Sequence, residues 1–395
     1  MNSKFLSFLT LNKQHLTGRT LYLFVLVAFL VALAIKLSLY YMVKDDQSLY
    51  YAGELLSIWS DDAAHYGDIA KKIIVGESIQ INHNLTAYLV AYTTMYSPFS
   101  VEQVMLFLPA VVSSLVVIPI VLAFNSLRLF WLGFFNALLL SSVLGFYIRT
   151  HLGYADTDML IILFLATLSS SIIIKLRTKN ILNDAIITLS IFLLLLTYHA
   201  GIYLIVPIVG LLVLFALFEK KYEYFDSLIL VAFGMLLYKL INYNVFINIS
   251  AWLGFILYIL NSKLLTKIDL KVLKIVTLVT GLLFASLNYT NIETKIRSYT
   301  DATLDKKVTA TMKDGKEIYL MNAQATVQES KILDYKATLK FLNNYEYIFY
   351  ISFIGSLLLS IRYKHLNFLL IWIYLSIAGT FLGGLRFALF GGYSY

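Results

Sequence analysis

Cysteine is absent from all 395 residues. A disulfide framework, a thiolate metal site and a cysteine nucleophile are therefore excluded. Charge is scarce too: 14% of residues are Asp, Glu, Lys or Arg, where soluble domains average about 25%. The basic residues are scattered through short loops and never gathered in one arm or face, which speaks against a nucleic-acid partner. No internal repeat and no linker to a second domain is found, so residues 1–395 read as one domain. What is present is apolar. The chain is 59% hydrophobic with a mean hydropathy of +0.77, the composition of an all-α polytopic membrane protein with room for about ten spans of roughly 20 residues.

Eleven spans are expected, starting near Leu21, Gln103, Phe130, Asp158, Ala185, Gly201, Ser227, Ile247, Val272, Glu346 and Asn367, with the start of a twelfth at Arg386. The first apolar run, Leu21 to Val43, continues past the cleavage-like Ala32-Leu33-Ala34 and reads as an uncleaved span. Alternate short loops hold Arg128, then Lys175 and Arg177, Lys220 and Lys221, Lys263 to Lys274, and Arg362 with Lys364. The positive-inside rule makes that set cytoplasmic. Two long segments, 44–102 and 291–345, are then external. The first should contain an amphipathic helix over Asp62–Ile74, and the second a β-hairpin around Asp314-Gly315.

Three acid motifs fall on that external side: Asp61-Asp62, Asp156-Thr157-Asp158 and Glu329. Acids next to lipid are costly, roughly 2.5–3.5 kcal/mol at a span's centre and less at its edge, so they tend to mark function. Converging carboxylates repel one another. A hard dication such as Mg²⁺ or Mn²⁺ removes that conflict and takes oxygen ligands. Asp156 and Asp158 share a face only on an extended strand or loop, so the motif is placed just ahead of the fourth span. Each residue also has a plainer reading. An aspartate ahead of a helix is often an N-cap, Glu329 is a solvated loop acid, His199 a core histidine, and Arg386 a snorkelling headgroup contact.

Taken together, the motifs resemble those of the catalytic subunit of oligosaccharyltransferase, in its bacterial single-subunit form. Ser60-Asp61-Asp62-Ala63 is similar to the first acidic motif of that family, and Arg149 to Leu160 to the second. Thr326-Val327-Gln328-Glu329 resembles the motif of the mobile external loop, and Gly384-Leu385-Arg386-Phe387 the segment whose arginine contacts the lipid pyrophosphate.

The resemblance implies a membrane domain of the GT-C glycosyltransferase type. It implies transfer of a glycan from a polyprenyl-pyrophosphate (lipid-linked oligosaccharide) donor to the asparagine of Asn-x-Ser/Thr acceptor polypeptides. It assigns Asp62 and Glu329 to catalysis and to the acceptor amide, and Asp62, Asp156, Asp158 and Glu329 to Mg²⁺ or Mn²⁺. Arg386, Tyr198 and His199 are assigned to the donor pyrophosphate. The setting is the inner, plasma membrane, multi-pass, with the site on the periplasmic or external face. Two departures stand out. The Trp-Trp-Asp-Tyr-Gly acceptor motif of the family's carboxy-terminal soluble domain does not occur before Tyr395, so a chain truncated ahead of that domain is expected. In the region downstream of Glu329 where bacterial members carry an arginine, this chain has Lys336 and Lys340. Alternatives are another polyprenyl-phosphate-sugar glycosyltransferase, which would not require the Glu329 motif, an inactive truncated membrane domain, or a transporter, which would carry its acids near the bilayer midplane. Of three acceptor-like triplets, only Asn84-Leu85-Thr86 lies clearly in an external loop.

Overall fold

The computed structural model describes residues 15–47, 50–51, 54–55, 61–178, 180–198, 200–219, 221–241, 245–261, 265–281, 308–311, 317–320, 335–343 and 346–383. In chain order the elements are α1 (Gly18–Val43), β1 (Tyr50–Tyr51), β2 (Glu54–Leu55), α2 (Asp61–Ile74), α3 (Leu85–Met95), α4 (Val101–Ser114), α5 (Val117–Ser126), α6 (Phe130–Leu140), α7 (Leu144–Ile148), α8 (Asp158–Lys175), α9 (Ile181–Thr197), α10 (Gly201–Phe218), α11 (Tyr222–Leu240), α12 (Val245–Leu260), α13 (270–281), β3 (Val308–Thr311), β4 (Glu317–Leu320), α14 (Tyr335–Asn343), α15 (Glu346–Arg362) and α16 (Asn367–Gly383). Every one of the eleven expected spans meets a helix. The expected external helix is α2, and the expected hairpin is β3–β4, with Val308 opposite Leu320 and Thr311 opposite Glu317. The segment after Arg386 lies outside the described residues.

Length separates these helices. Among the described residues four are long and apolar enough to cross a membrane: α1, α4 continued by α5, α8 and α10. Shorter apolar helices, α6, α9, α12 and α15 among them, accompany these. The span expected from Gln103 starts at Val101, behind a capping box in which Ser100 and Gln103 exchange side-chain-to-backbone hydrogen bonds of 3.2 Å. It then breaks at 115–116. Pro119 lacks an N–H for the Leu115 carbonyl, and Ile118 N–H bonds Leu115 O over a tightened turn instead. The span expected from Phe130 stops after α6, about 16 Å of helix against a hydrocarbon core of about 30 Å. The chain turns at 141–143 and resumes as α7, which delivers Arg149 to the acidic loop.

α8 is the central helix. It packs on α9, α5, α4 and α16 and is buried on nearly all sides, from Met159 through Ile173. Such a helix is apolar all round. Its neighbours are keyed in by single polar contacts: Trp372 Nε1 on α16 donates to Ser169 Oγ at 3.1 Å, and Thr188 Oγ1 on α9 donates to Leu230 O on α11 at 3.0 Å. α9 and α11 approach closely at Gly234, where a Cβ would meet Thr188 O and Ile191 Cβ, both at 2.7 Å. α1 is different. Leu23, Leu26 and Leu30 are exposed, and one stripe alone, Ala28, Ala32 and Lys36, is buried. An exposed apolar face around a narrow contact stripe is what a lipid-facing span requires.

Candidate functional site

The loop between α7 and α8 is pinned at both ends of its turn. Thr150 is fully buried; its carbonyl accepts from Ser113 Oγ of α4 at 3.0 Å. Gly153, at φ +75°, donates its N–H to Leu106 O of α4 at 2.8 Å. A side chain at this left-handed position would be strained, so glycine is the residue that lets the chain reverse here. The reversal sets Asp156 in the loop and Asp158 in the first turn of α8, where the helix dipole favours an acid. α2 closes on the loop from the other side. Ala63 and Ala70 of α2 share a buried cluster with Ala155 and Met105, and Gly67 lies so close to Met105 Sδ that a Cβ would sit 2.7 Å from it. The close approach brings Asp62, at the start of α2, toward the loop.

Asp158 is ion-paired to Arg149, whose Nε and Nη2 both reach Oδ2, at 2.6 and 2.5 Å. The Arg149 guanidinium also lies over the Tyr154 ring, 5.4 Å from its centroid. Asp156 is 5% exposed. Its Oδ1 accepts from the Thr157 N–H at 2.5 Å and from the Thr157 hydroxyl at 3.1 Å. Burial, then the negative fields of Asp158 and Asp62, push its carboxyl up to about 7, against the smaller opposing pull of Arg149 and the Thr157 bond. Asp156 and Asp158 thus share the field of one arginine, and that arginine is committed to Asp158. Asp62 is exposed, at the rim. As donors, Asp62 and Asp156 offer hard carboxylate oxygens suited to Mg²⁺ or Mn²⁺. Among the described residues no group of three His, Cys, Asp or Glu is arranged to hold a metal ion, so a complete shell would need a further ligand. Glu329, the fourth ligand expected from the sequence, lies outside the described residues, as do His199 and Arg386. Tyr198 is placed at the tight corner between α9 and α10 and packs against the main core. His83, at φ +66°, reaches the same corner through its N–H to Leu196 O at 2.7 Å.

Three residues of the site were not read from the sequence as functional. Tyr66 is one helical turn after Asp62. It is hydrogen-bonded to the Thr157 side chain and stands in the fields of Asp156, Asp62 and Asp158; burial and these acids raise its phenol. Arg149 had been read only as part of the motif. Lys36 lies under the loop, its Nζ 2.5 Å from Thr150 Oγ1. Signals existed for two of them: the i, i+4 spacing of Asp62 and Tyr66, and a lysine inside an apolar run. The Asn84 triplet, in contrast, is closed. Asn84 holds the N-cap position of α3 without a side-chain cap bond, its Nδ2 donating instead to Gln80 O at 2.9 Å, and Thr86 is fully buried.

A second charged cluster occupies the other end of α8. Lys175 is hydrogen-bonded to Asp184 and lies 2.5 Å from Asp226 Oδ2, while Tyr258 OH donates to Asp226 Oδ1. A cavity of about 270 Å³ adjoins it. Nearby, Lys364 pairs with Glu219, and His365, beside the Tyr224 hydroxyl at 3.3 Å, is pushed down to about 4 by burial and by Lys221, Arg177 and Lys364.

A family model described as "Oligosaccharyl transferase STT3, N-terminal" matches residues 57–391. The undecaprenyl-diphosphooligosaccharide–protein glycotransferase of Campylobacter jejuni (strain RM1221) is 25% identical over 396 aligned positions, covering 96% of this chain and 53% of that protein. The chain therefore spans about half the length of the curated relatives it matches. The archaeal oligosaccharyltransferase AglB from Archaeoglobus fulgidus, in complex with an inhibitory peptide and a dolichol-phosphate, superposes with a TM-score of 0.60 at 15% identity, over 95% of this chain and 49% of that one. The Archaeoglobus fulgidus oligosaccharyltransferase in complex with Zn and sulfate gives 0.57 at 16% identity, over 94% and 48%. These two likenesses concern the fold.

Proposed function

The chain belongs to the oligosaccharyl transferase STT3 family, and on that premise we propose that it is the membrane-embedded catalytic part of an oligosaccharyltransferase. The reading is a transfer of glycan from a polyprenyl-pyrophosphate carrier to the side-chain nitrogen of Asn in Asn-x-Ser/Thr polypeptides. The observation that carries it is the buried, under-compensated Asp156 facing Asp62 and Asp158 at one end of a lipid-embedded bundle. Perturbed carboxylates of this kind cluster at reactive sites.

The difficulty in the reaction is the nucleophile. An amide nitrogen shares its lone pair with the carbonyl, and rotation about such a bond costs about 18–20 kcal/mol in a peptide. Asp62, exposed at the rim, and Glu329 accept hydrogen bonds from the acceptor NH₂ and turn it toward the anomeric carbon. A C–N bond forms there, the C–O bond to pyrophosphate breaks with its electron pair leaving on the phosphate oxygen, and the amide proton passes to a carboxylate. Asp156 and Asp62, with Glu329, would hold the dication, and Asp158, steadied by Arg149, would sit beside it as a supporting ligand. When bound, Mg²⁺ or Mn²⁺ supplies positive charge that reconciles the carboxylates and stabilises the departing pyrophosphate. Arg386 offers a planar fork of donors to phosphate oxygens, and the family resemblance assigns Tyr198 and His199 to the same donor. By the placement of Lys and Arg this end faces outward from the plasma membrane.

The test is glycan transfer by the full-length protein to a fluorescent Asn-x-Thr peptide, with dication removed and restored. Loss of transfer on chelation and its return with Mn²⁺ or Mg²⁺ is expected. Transfer that persists after exhaustive chelation, or full activity in Asp156→Ala, overturns the metal-site reading.

A further inference from the structure

The buried stripe of α1, Ala28, Ala32 and Lys36, repeats every four residues, so Lys36 sits where a small or apolar contact residue would continue the pattern. All three are fully buried. An ionisable side chain inside a span is expensive and calls for an identified partner. Among the described residues no carboxylate pairs with Lys36. Its Nζ donates to Thr150 Oγ1 at 2.5 Å and lies over the Phe146 ring, 4.1 Å from its centroid, with Tyr147 at 5.8 Å. Thr150 in turn donates to Phe146 O and accepts from Ser113 Oγ through its carbonyl. Helices α1, α4 and α7 therefore meet on one residue. That residue follows Arg149, the arginine that holds Asp158, and begins the turn that ends at Asp156.

We propose that Lys36 is a positioning residue for the acidic loop, acting from inside the first span through Thr150 on the Arg149–Asp158 pair and Asp156. For packing of α1 alone an apolar side chain at 36 would serve better, because a lone ammonium in a dry contact loses its hydration. What the lysine adds is one directed hydrogen bond, aimed at the turn that carries the carboxylates. Together with the Gly153–Leu106 bond it fixes that turn at two points three residues apart.

The inference rests on the catalytic reading above only where a dication is concerned, and the experiment keeps the two apart. The full chain in lipid nanodiscs is compared as wild type, Lys36→Met, Thr150→Val, the double variant and Thr150→Ser. Mn²⁺ alone is titrated by electron paramagnetic resonance, amide exchange is followed over residues 149–157, and Tm is recorded. Lys36→Met and Thr150→Val should each weaken Mn²⁺ binding about tenfold, the lower end of what outer-shell partners of a metal ligand contribute, and both should speed exchange in the loop. The double variant should be no worse than the poorer single, since both remove one shared contact. Thr150→Ser, which keeps the hydroxyl, should behave as wild type. Unchanged Mn²⁺ affinity and unchanged loop exchange in both single variants overturns the proposal, whatever their Tm. Should Lys36→Met not fold, the Thr150→Val and Thr150→Ser pair decides. A wild-type chain that binds no Mn²⁺ sinks the dication reading instead, and loop exchange alone then decides the role of Lys36.

Discussion

Each end of α8 carries buried aspartates and one close cation, yet the two clusters are wired differently. They lie about 26 Å apart along the helix. At the Lys175 end the cation sits between two acids, in contact with both Asp184 and Asp226, and Tyr258 engages the remaining oxygen of Asp226. At the Asp158 end the arginine spends two donors on a single oxygen of Asp158, leaving Asp156 with its backbone and hydroxyl contacts from Thr157 and the opposing fields of two acids. The first arrangement brings both acids into contact with one cation and ties α8, α9, α11 and α12 together. The second leaves charge to be met by something else. Similar side chains thus make a clamp at one end and a receptive site at the other, and the distinction lies in which acid the cation faces.

The comparison can be broken most directly at its two acids. On the proposed role of Asp156 as a dication ligand, Asp156→Ala should lower transfer by at least about 100-fold, since a ligand would matter no less than the outer partners that typically contribute 10–100-fold. Asp184→Ala should leave transfer per folded molecule within a few fold. Equal losses in a peptide-transfer assay would erase the distinction. Next in size, Lys175→Met should destabilise the fold by about 3–5 kcal/mol, because two buried carboxylates lose their counter-charge. Replacing Lys175, Asp184 and Asp226 together with apolar residues should recover most of that, as thermal unfolding in detergent would register. Tyr66→Phe is a smaller change. It removes the hydrogen bond to Thr157, worth about 0.5–1.5 kcal/mol, and should reduce transfer severalfold with the fold intact; an unaffected rate would detach Tyr66 from the site.

The last effect expected is on stability alone, a pH dependence at the clamped end. His365 titrates at about 4 in the folded chain and near 6.5 when unfolded. The unfolded state therefore binds the extra proton between those values. The stabilising contribution is fully present above about pH 6.5 and is lost as pH falls toward 4. Tm measured across that window should fall more steeply in wild type than in His365→Gln. Parallel curves would show that His365 does not contribute.

Much of this was legible along the chain. Eleven apolar stretches became helices because hydrophobic length is a local property, and the Asp158 start of α8 followed from a loop motif meeting an apolar run. Residues 141–143 were less legible: Ser141-Ser142 is a weak stop signal because apolar residues resume at Val143, and α6 ends at Leu140 in a structure where it packs on α5 and α1. Tyr66 and Lys36 carried weak signals, a helical spacing and a charge within a span, whose meaning depends on what lies opposite. The Asn84 triplet reads as a chance match in so short a motif, and in the structure Thr86 is buried in the first turn of α3 while Gln80 O takes the Asn84 amide.

The sequence by itself determined the class of molecule, the order of its helices and the acid motifs beside them, since hydropathy and motif spacing can be read without knowing contacts. Only the tertiary structure decided which acid keeps a counter-ion. That choice depends on where Arg149 and Lys175 come to rest, the latter against Asp226 on another helix. In a low-dielectric interior such pairing is set by a few ångströms of separation, and those distances exist only once the helices have packed.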